Sequence, residues 1–200
     1  MGRDKALLEL DGLPLVAHAI HKLEPLCDSV WICGNNPQLA AWGRLIPDAA
    51  VGAGPLAALV SATADAAEAG AFFAIVLPVD VPLLPTDVME RLAMRAIDSG
   101  KWATLIEAGG HVQPLCAVYR GEIAVPLREL LESGERKVQQ AVNQACDGSR
   151  MDCISLAELY GVGEDWGEGL PNGSDNWFLN ANTPAEWERA EELLRSRRMP

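Results

Sequence analysis

The sequence lacks the features of a membrane protein and of a protein that binds nucleic acid through its charge. Basic residues are scarce, because 16 Lys and Arg stand against 28 Asp and Glu and give a net charge of −12. This balance disfavours non-specific binding to nucleic acid and adsorption to anionic membranes. The nearest approach to a membrane span, residues 49–64, is interrupted by Gly52, Gly54 and Pro55 and falls short of roughly 18 apolar residues. We therefore expect neither nucleic acid nor a membrane among the partners.

The patterns of a metal centre and of a disulfide framework are also missing. The five cysteines are odd in number and have no Cys-x-x-Cys spacing, and three of them lie in apolar, strand-like segments. The three histidines share no metal-ligand spacing, and residues 1–5 contain no apolar signal core. We therefore expect reduced, buried thiols in a cytoplasmic protein rather than disulfides or a zinc site.

What is present is an alternation of strand patterns and helix patterns. With 200 residues, 49% of them apolar, the chain is expected to form one domain spanning residues 1–200. Apolar spacing predicts helices over 15–23, 56–69, 86–97, 126–131, 137–146 and 184–198. Extended segments are predicted on either side of a turn at 11–12 and over 29–33, 45–48, 71–79, 103–107, 115–119, 153–156 and 177–179. Apolar strands flanked by helices indicate an α/β fold with a parallel sheet.

Asp80 is the most informative residue by position, because it ends the apolar strand predicted over 71–79. Ligands of open α/β sheets bind beyond the carboxyl ends of the strands. A carboxylate in that place is costly unless it is paired, hydrated or bound to a metal. Mg²⁺ fits, because it takes one or two carboxylates together with substrate phosphates and water. The alternative is an aspartate that caps the following turn through Pro82, and the pattern alone favours neither.

Two further segments suit an anion, and each has an ordinary structural alternative. Lys5 follows a glycine-containing segment and either clamps a phosphate or is solvated. The segment 52–55 leaves backbone N–H groups and a helix N-terminus open to an anion, or is simply the lead into the helix. The Gly-rich segment 161–167 lacks the Lys-Ser/Thr of a P-loop, and its acidic residues would repel phosphate.

Asparagines follow two of the predicted strands. The Asn35-Asn36 pair either contacts a base edge or forms the turn after its strand. Asn180 and Asn182 occupy alternate positions of an extended segment, so their side chains are expected on one side. Thr183 then caps the terminal helix, with Pro184 at its first position.

A series of motifs runs along nearly the whole chain in a specific order. The motifs are Met-Gly-Arg-Asp-Lys at 1–5 continuing to Pro14, Asp48 with Gly-Pro-Leu at 54–56, Leu-Pro-Val-Asp-Val-Pro at 77–82, Gln-Pro-Leu-Cys-Ala-Val-Tyr-Arg at 113–120, Gly-Glu-Arg-Lys-Val at 134–138 and Asn-Ala-Asn-Thr-Pro at 180–184. This ordered set resembles the molybdenum cofactor guanylyltransferases, also called molybdopterin-guanine dinucleotide synthases. The resemblance implies a Rossmann-like α/β fold of the nucleotide-diphospho-sugar transferase type. Such a fold has a mostly parallel sheet with helices on both faces.

The resemblance also implies an activity. A member of this family transfers GMP from GTP to the terminal phosphate of the molybdenum-molybdopterin cofactor, with Mg²⁺, and releases pyrophosphate. Its partners are then GTP and the molybdopterin cofactor, with molybdoenzyme maturation proteins as further candidates. By matching position, Lys5 would bind the GTP phosphates, and Asp80 would bind both the nucleotide and Mg²⁺. These two residues are therefore the catalytic candidates.

The remaining site residues carry over in the same way. Asn35 would lie at the nucleoside, and Asp48 would hold the nucleoside end of GTP. Asn180 and Asn182 would complete the pocket near the metal and the second substrate. The attacking phosphate oxygen is already ionised, so the reaction needs no general base and depends on positioning and charge neutralisation.

One departure from the family pattern concerns the segment ahead of residues 1–5. The family opens there with a strand and a Leu-Ala-Gly-Gly-x-Ser-x-Arg loop, and both are absent from this sequence. We expect a sheet whose middle strand is missing and whose two neighbouring strands are unpaired. An N-terminally shortened reading frame, lacking on the order of a dozen residues, explains the absence. The alternative is a degenerate protein that binds weakly and does not catalyse.

Two other functions stay open at this point. A cytidylyltransferase would use CTP in the same reaction, because the base-reading part of the family lies partly in the absent loop. A non-catalytic binding partner in molybdoenzyme maturation would bind the cofactor without turnover.

Overall fold

The chain alternates strands and helices, as its sequence pattern predicts. The computed structural model describes residues 4–162, 170–180 and 183–198. Its strands are β1 (Glu9–Leu10), β2 (Leu13–Pro14), β3 (Trp31–Cys33), β4 (Arg44–Ile46), β5 (Phe73–Val76), β6 (Ala103–Ala108), β7 (His111–Arg120) and β8 (Met151–Ser155). Its α-helices are α1 (Leu15–Leu23), α2 (Pro55–Glu68), α3 (Thr86–Ser99), α4 (Ala124–Glu132), α5 (Val138–Cys146), α6 (Leu156–Leu159) and α7 (Pro184–Arg198). Every helix of the described ranges is too short or too polar to traverse a bilayer.

The main sheet has four strands in the order β5-β7-β6-β8. Strand β7 runs antiparallel to both β5 and β6, whereas β6 and β8 are parallel. The sheet is therefore mixed rather than mostly parallel. The hairpin between β6 and β7 turns at Gly109 and Gly110, whose φ values of 59° and 75° suit a tight turn that glycine adopts without strain. Because β5, β6 and β8 share one direction, their carboxyl ends meet at one edge.

Helices cover both faces of this sheet, as expected for the fold. Successive β7 residues point to opposite faces. Ala117 and Tyr119 pack with α2, α4 and α5, whereas Cys116 and Val118 pack with α3. Tyr119 is fully buried, and its hydroxyl donates to the carbonyl oxygen of Pro114. The two apolar layers fix the direction of β5 and so the position of the residues that follow it.

A second, two-stranded parallel sheet consists of β3 and β4 and is separate from the main sheet. A cleft of about 970 Å³ lies between β3 and β5 and is lined on its two sides by residues 27–33 and 71–80. Among the described residues, the edges of β3 and β5 that face this cleft pair with no other strand. The expectation of two unpaired strand edges is therefore confirmed for β3 and β5 within these residues. Lys5 and Asp80 both line this cleft.

Several predicted strands have other bounds in the structure, and two of the differences concern the surroundings of the candidate site. The segment predicted over 71–79 is a strand only at Phe73–Val76, and the chain leaves the sheet before Asp80. The strand predicted at 177–179 is wrong, because this segment follows the 3₁₀ turn Ser174–Asn176 as a further turn. The Trp177 side chain is buried there against the α3 layer, so its apolar character comes from packing on a loop and not from a strand.

Candidate active site

Lys5 and Asp80 come together although 75 residues separate them in the sequence. Lys5 begins the 3₁₀ turn Lys5–Leu7, and Asp80 follows β5 at the carboxyl edge of the main sheet. The Lys5 Nζ lies 3.4 Å from Asp80 Oδ2, and the two side chains are 30% and 33% exposed. In the described part of the chain, the Asp80 carboxylate is bonded to Lys5 and not to a backbone amide of the following turn. The capping alternative for Asp80 therefore finds no support.

Asn35 and Asp48 form a second pair at the carboxyl ends of β3 and β4. Because these strands are parallel, the residues that follow them lie side by side. The Asn35 Nδ2 donates to Asp48 Oδ2 at 2.7 Å, and the Asp48 backbone N–H donates to Asn35 Oδ1 at 3.1 Å. The structure thus brings together the two residues predicted at the nucleoside.

The environment of Asp48 leaves part of its carboxylate unsatisfied. Its Oδ1 atom is buried and has no hydrogen-bond partner among the described residues. Burial raises the pKa of the Asp48 carboxyl, and the hydrogen bond from Asn35 opposes that shift in part. A buried acceptor without a donor costs free energy until a ligand supplies one. Asp48 is therefore suited to accept a hydrogen bond from a ligand N–H or O–H group.

Two supporting contacts were missed by the sequence analysis. Asn36 donates from Nδ2 to Asp4 Oδ2 at 2.8 Å, although 32 residues separate them. Lys22 on α1 donates from Nζ to the carbonyl oxygen of Pro82 at 2.7 Å, just beyond Asp80. The one available sequence signal was Asn36 before Pro37, which is typical of a helix start. The distant partners have no local signal, because tertiary folding alone brings them into reach.

Asn180 lies in the described segment 170–180 and is exposed. Asn182 and most of the Gly-rich segment 161–167 lie outside the described residues. Leu179, directly before Asn180, packs on the same buried cluster as Val79. This cluster includes Leu83, so residue 179 approaches the chain on either side of Asp80. Within the part of the chain that the structure describes, no hydrogen bond is seen between Asn180 and either Lys5 or Asp80.

The donor set at this edge suits a cation that keeps water and substrate ligands. No group of three or more His, Cys, Asp or Glu side chains within the described ranges could hold a metal by itself. Asp80 offers one partly exposed carboxylate in a cleft that also contains Lys5. Mg²⁺ is held in this manner, by one or two carboxylates together with substrate phosphates and water. The residues present therefore fit Mg²⁺ and do not form a closed protein cage.

Comparisons with known proteins agree with this geometry. The chain is 32% identical over 197 residues to a molybdenum cofactor guanylyltransferase of Cereibacter sphaeroides, covering 97% of this chain and 90% of the relative. It is 27% identical over 197 residues to the protein of the same name from Shewanella halifaxensis, covering 96% and 88%. The cytidylyltransferase alternative is not favoured, because these relatives carry the guanylyltransferase name.

Solved structures show the same fold. The molybdopterin-guanine dinucleotide biosynthesis protein A of Archaeoglobus fulgidus matches with a TM-score of 0.75 and 20% identity over 98% of this chain and 92% of that one. A 2-C-methyl-D-erythritol 4-phosphate cytidylyltransferase from Thermus thermophilus matches with a TM-score of 0.64 and 16% identity over 96% and 94%. The model of the MobA-like NTP transferase domain matches residues 1–147. Because this model covers more than half of the chain, and because the Cereibacter sphaeroides relative is 32% identical over nearly its whole length, the chain belongs to the family of MobA-like NTP transferase domains.

Proposed function

We propose that this protein transfers GMP from GTP to the terminal phosphate of the molybdenum-molybdopterin cofactor and releases pyrophosphate, with residues 1–200 acting as one nucleotidyltransferase domain. The observation that carries the proposal is the Lys5–Asp80 contact at the carboxyl edge of the main sheet. A cation and a carboxylate held 3.4 Å apart can act together on a nucleotide, because the cation can bind the phosphates while the carboxylate binds a metal. The guanylyltransferase names of the relatives support the choice of substrate.

Lys5 is assigned to the triphosphate. Its ammonium group is a compact charge on a side chain that is partly exposed, so a phosphate can reach it without unfolding the turn. The protein carries a net charge of −12, so GTP must be attracted by local groups rather than by the overall field. Lys5 supplies such a local charge, held at the cleft by its turn. Preorganised charge of this kind stabilises the transition state without reorganisation at the moment of reaction.

Asp80 is assigned to Mg²⁺. When bound, the ion neutralises charge on the nucleotide phosphates and on the departing pyrophosphate. Asp80 holds its carboxylate on the side of the sheet where β5, β6 and β8 end, and Lys22 ties the chain after it to α1. The role of this chain is then to keep one oxygen ligand and one cation in place while the nucleotide is aligned for in-line attack.

Asn35 and Asp48 are assigned to the nucleoside end. The unpartnered Asp48 Oδ1 can accept a hydrogen bond, and the Asn35 side chain holds the other carboxylate oxygen so that Oδ1 keeps its direction. Guanine presents N–H donors on its pairing edge and ribose presents O–H donors, and either satisfies this acceptor. Asn180 and Asn182 are assigned to the second substrate, whose terminal phosphate attacks without help from a general base.

The free cysteines support a cytoplasmic setting. All five cysteines are free, and Cys116 and Cys146 are buried. Burial raises the pKa of the Cys116 thiol to about 12, and the nearby Asp80 contributes to this shift. Such thiols are unreactive and suit a reducing compartment, so we assign the protein to the cytoplasm.

The test is a pyrophosphate-release assay with molybdenum-molybdopterin, Mg²⁺ and either GTP or CTP. We expect release with GTP, and we expect excess CTP to compete poorly. Lys5→Ala should abolish most of this release, whereas Lys101→Ala is a matched control because Lys101 Nζ bonds to the Ser149 carbonyl oxygen elsewhere on the surface. Preferred use of CTP would assign the protein to the cytidylyltransferases. Cofactor that is captured by the protein without any release would instead indicate a binding partner that does not catalyse.

A further inference from the structure

The two consecutive asparagines after β3 contact different parts of the candidate site. Asn35 bonds to Asp48, the residue assigned to the nucleoside. Asn36 bonds instead to Asp4, the residue directly before Lys5, with 2.8 Å between Nδ2 and Oδ2. One strand end therefore carries a link to the nucleoside side and a link to the phosphate side. Only the first of these links is accounted for by the roles assigned above.

The link through Asn36 is part of a continuous set of hydrogen bonds. Asp4 Oδ1 accepts from the backbone N–H of Ala6 at 3.0 Å and so caps the turn Lys5–Leu7. Asn36 Oδ1 accepts from the backbone N–H of Gln38 at 3.1 Å and so caps the 3₁₀ turn Pro37–Ala41. The Asp4–Asn36 bond joins the two caps, and hence joins the two turns.

The same two turns also meet below the surface. Ala6 from the first turn and Leu39 from the second are buried in one cluster with Val16 and Ile32. Apolar packing therefore fixes where the first turn sits, whereas the hydrogen bond from Asn36 fixes how its first residues are oriented. Lys5 is one of those residues, and its backbone carbonyl accepts from the N–H of Leu8 to close the turn.

Resting on the proposed function, we propose that Asn36 is a positioning residue that holds Lys5 at the GTP phosphates by fixing Asp4. The carboxylate of Asp4 stands one residue from the phosphate-binding lysine, where a negative charge left free would attract Lys5 and repel a triphosphate. With both oxygens bonded, Asp4 remains in its cap. Lys5 then keeps a limited range of positions before the nucleotide arrives, which lowers the cost of binding.

Two substitutions separate positioning from simple capping. Asn36→Ser keeps an oxygen that can cap the second turn but removes the N–H group that reaches Asp4. Asn36→Ala removes both contacts. A third variant combines Asn36→Asp with Asp4→Asn, which reverses donor and acceptor, preserves both caps and leaves the net charge unchanged. If Asn36 only caps its own turn, the serine variant should behave as the wild-type protein.

The readout is the Kd for GTP compared with the Kd for guanosine, both with Mg²⁺ present. We expect Asn36→Ser to weaken GTP binding about tenfold, as for loss of a hydrogen bond to a charged group, and to change guanosine binding by less than about twofold. The combined Asp4→Asn and Asn36→Asp variant should regain most of the affinity for GTP. In a Lys5→Ala background, Asn36→Ser should not weaken GTP binding further, because Asn36 acts on GTP only by positioning Lys5.

Each alternative outcome has a separate meaning. If Lys5→Ala weakens GTP binding and Asn36→Ser does not, the positioning role is wrong while the proposed function stands. Equal weakening of GTP and guanosine would show that Asn36 supports the fold alone. A wild-type protein that binds no GTP would overturn both proposals. Hydrogen exchange without ligand gives an independent check, because unchanged exchange of residues 5–8 in Asn36→Ser would refute the link to Asp4.

Discussion

Replacing Asp80 by asparagine separates the structural role of this residue from its functional role. Asp80→Asn keeps the shape of the side chain and removes the charge that faces Lys5 at 3.4 Å and that would hold Mg²⁺. Lys5 and Asp80 are each about one-third exposed. An ion pair that solvent reaches contributes about 0–1 kcal/mol to the free energy of unfolding. The expected fall in Tm is therefore small, at most about 4 °C for a chain of this length.

The expected loss of activity is much larger than the loss of stability. Removing one preorganised group that stabilises charge in the transition state lowers turnover by about 100- to 1,000-fold. Loss of the residue assigned to the metal should reach at least the lower value, which corresponds to about 2.7 kcal/mol in the activation free energy. The assay is Mg²⁺-dependent pyrophosphate release from GTP with the molybdenum-molybdopterin cofactor, combined with thermal unfolding of the same preparations.

A second ion pair of nearly the same geometry is the control. Arg44 Nη2 lies 3.3 Å from Asp65 Oδ2, with side chains 57% and 30% exposed. Asp65→Asn therefore removes a similar contact from a place without an assigned role, and it should change Tm as little as Asp80→Asn does while turnover stays near the wild-type rate. Retention of wild-type turnover by Asp80→Asn, within about tenfold, would refute the assignment of Asp80 to the metal. If Asp80→Asn failed to fold while Asp65→Asn folded, the small fall in Tm expected from the ion pair would be refuted.

Two further predictions concern titration. Burial raises the pKa of the Asp48 carboxyl, so the folded protein binds a proton at this group more tightly than the unfolded chain does. The protonated carboxyl therefore stabilises the folded protein at low pH, and this stabilisation is lost as pH rises through the pKa of the folded state. The Tm of the wild-type protein minus that of Asp48→Asn should become more positive between about pH 7 and about pH 4, and an unchanged difference would contradict it. Burial also raises the pKa of Cys33 to about 11 and of Cys116 to about 12, whereas Cys153 is exposed. Mass spectrometry after brief alkylation of the native protein should find Cys153 modified first, and earlier modification of Cys116 would contradict its burial.

Of the α-helices in the described ranges, all except the short α6 could be predicted, because the sequence marks their ends. Pro55 begins α2, and Gly100 follows α3 in the left-handed conformation, with φ of 62°. Strand direction could not be predicted in the same way. The apolar run 115–119 is buried on both faces, and such a run reads the same in a parallel and in an antiparallel strand. The antiparallel direction of β7 follows from its short hairpin with β6, where two glycines allow the chain to reverse at once.

The residues of the candidate site also differ in how far the sequence alone predicts them. Asp80 could be predicted from local pattern, because a charged residue at the end of an apolar run is unusual wherever it occurs. The pairing of Asn35 with Asp48 follows from the parallel register of β3 and β4, which no local pattern contains. The bond between Asp4 and Asn36 has the same origin, since each residue appears in the sequence as an ordinary turn cap. The sequence therefore shows which residues can do chemistry, and tertiary structure decides which of them act together.

The candidate site stands on two sheets that share no backbone hydrogen bonds among the described residues. Asn35 and Asp48, which are assigned to the nucleoside, follow the two strands of the β3–β4 sheet, whereas Asp80 follows β5 of the main sheet across the cleft. The distance between the two halves must then be set by contacts that cross between them. The bond of Lys22 to the Pro82 carbonyl is one, and the path from Asn36 through Asp4 and Lys5 to Asp80 is another. A nucleotide that contacts both halves would add to the same link, so bound GTP should slow hydrogen exchange on both sides of the cleft and not only at the residues it touches.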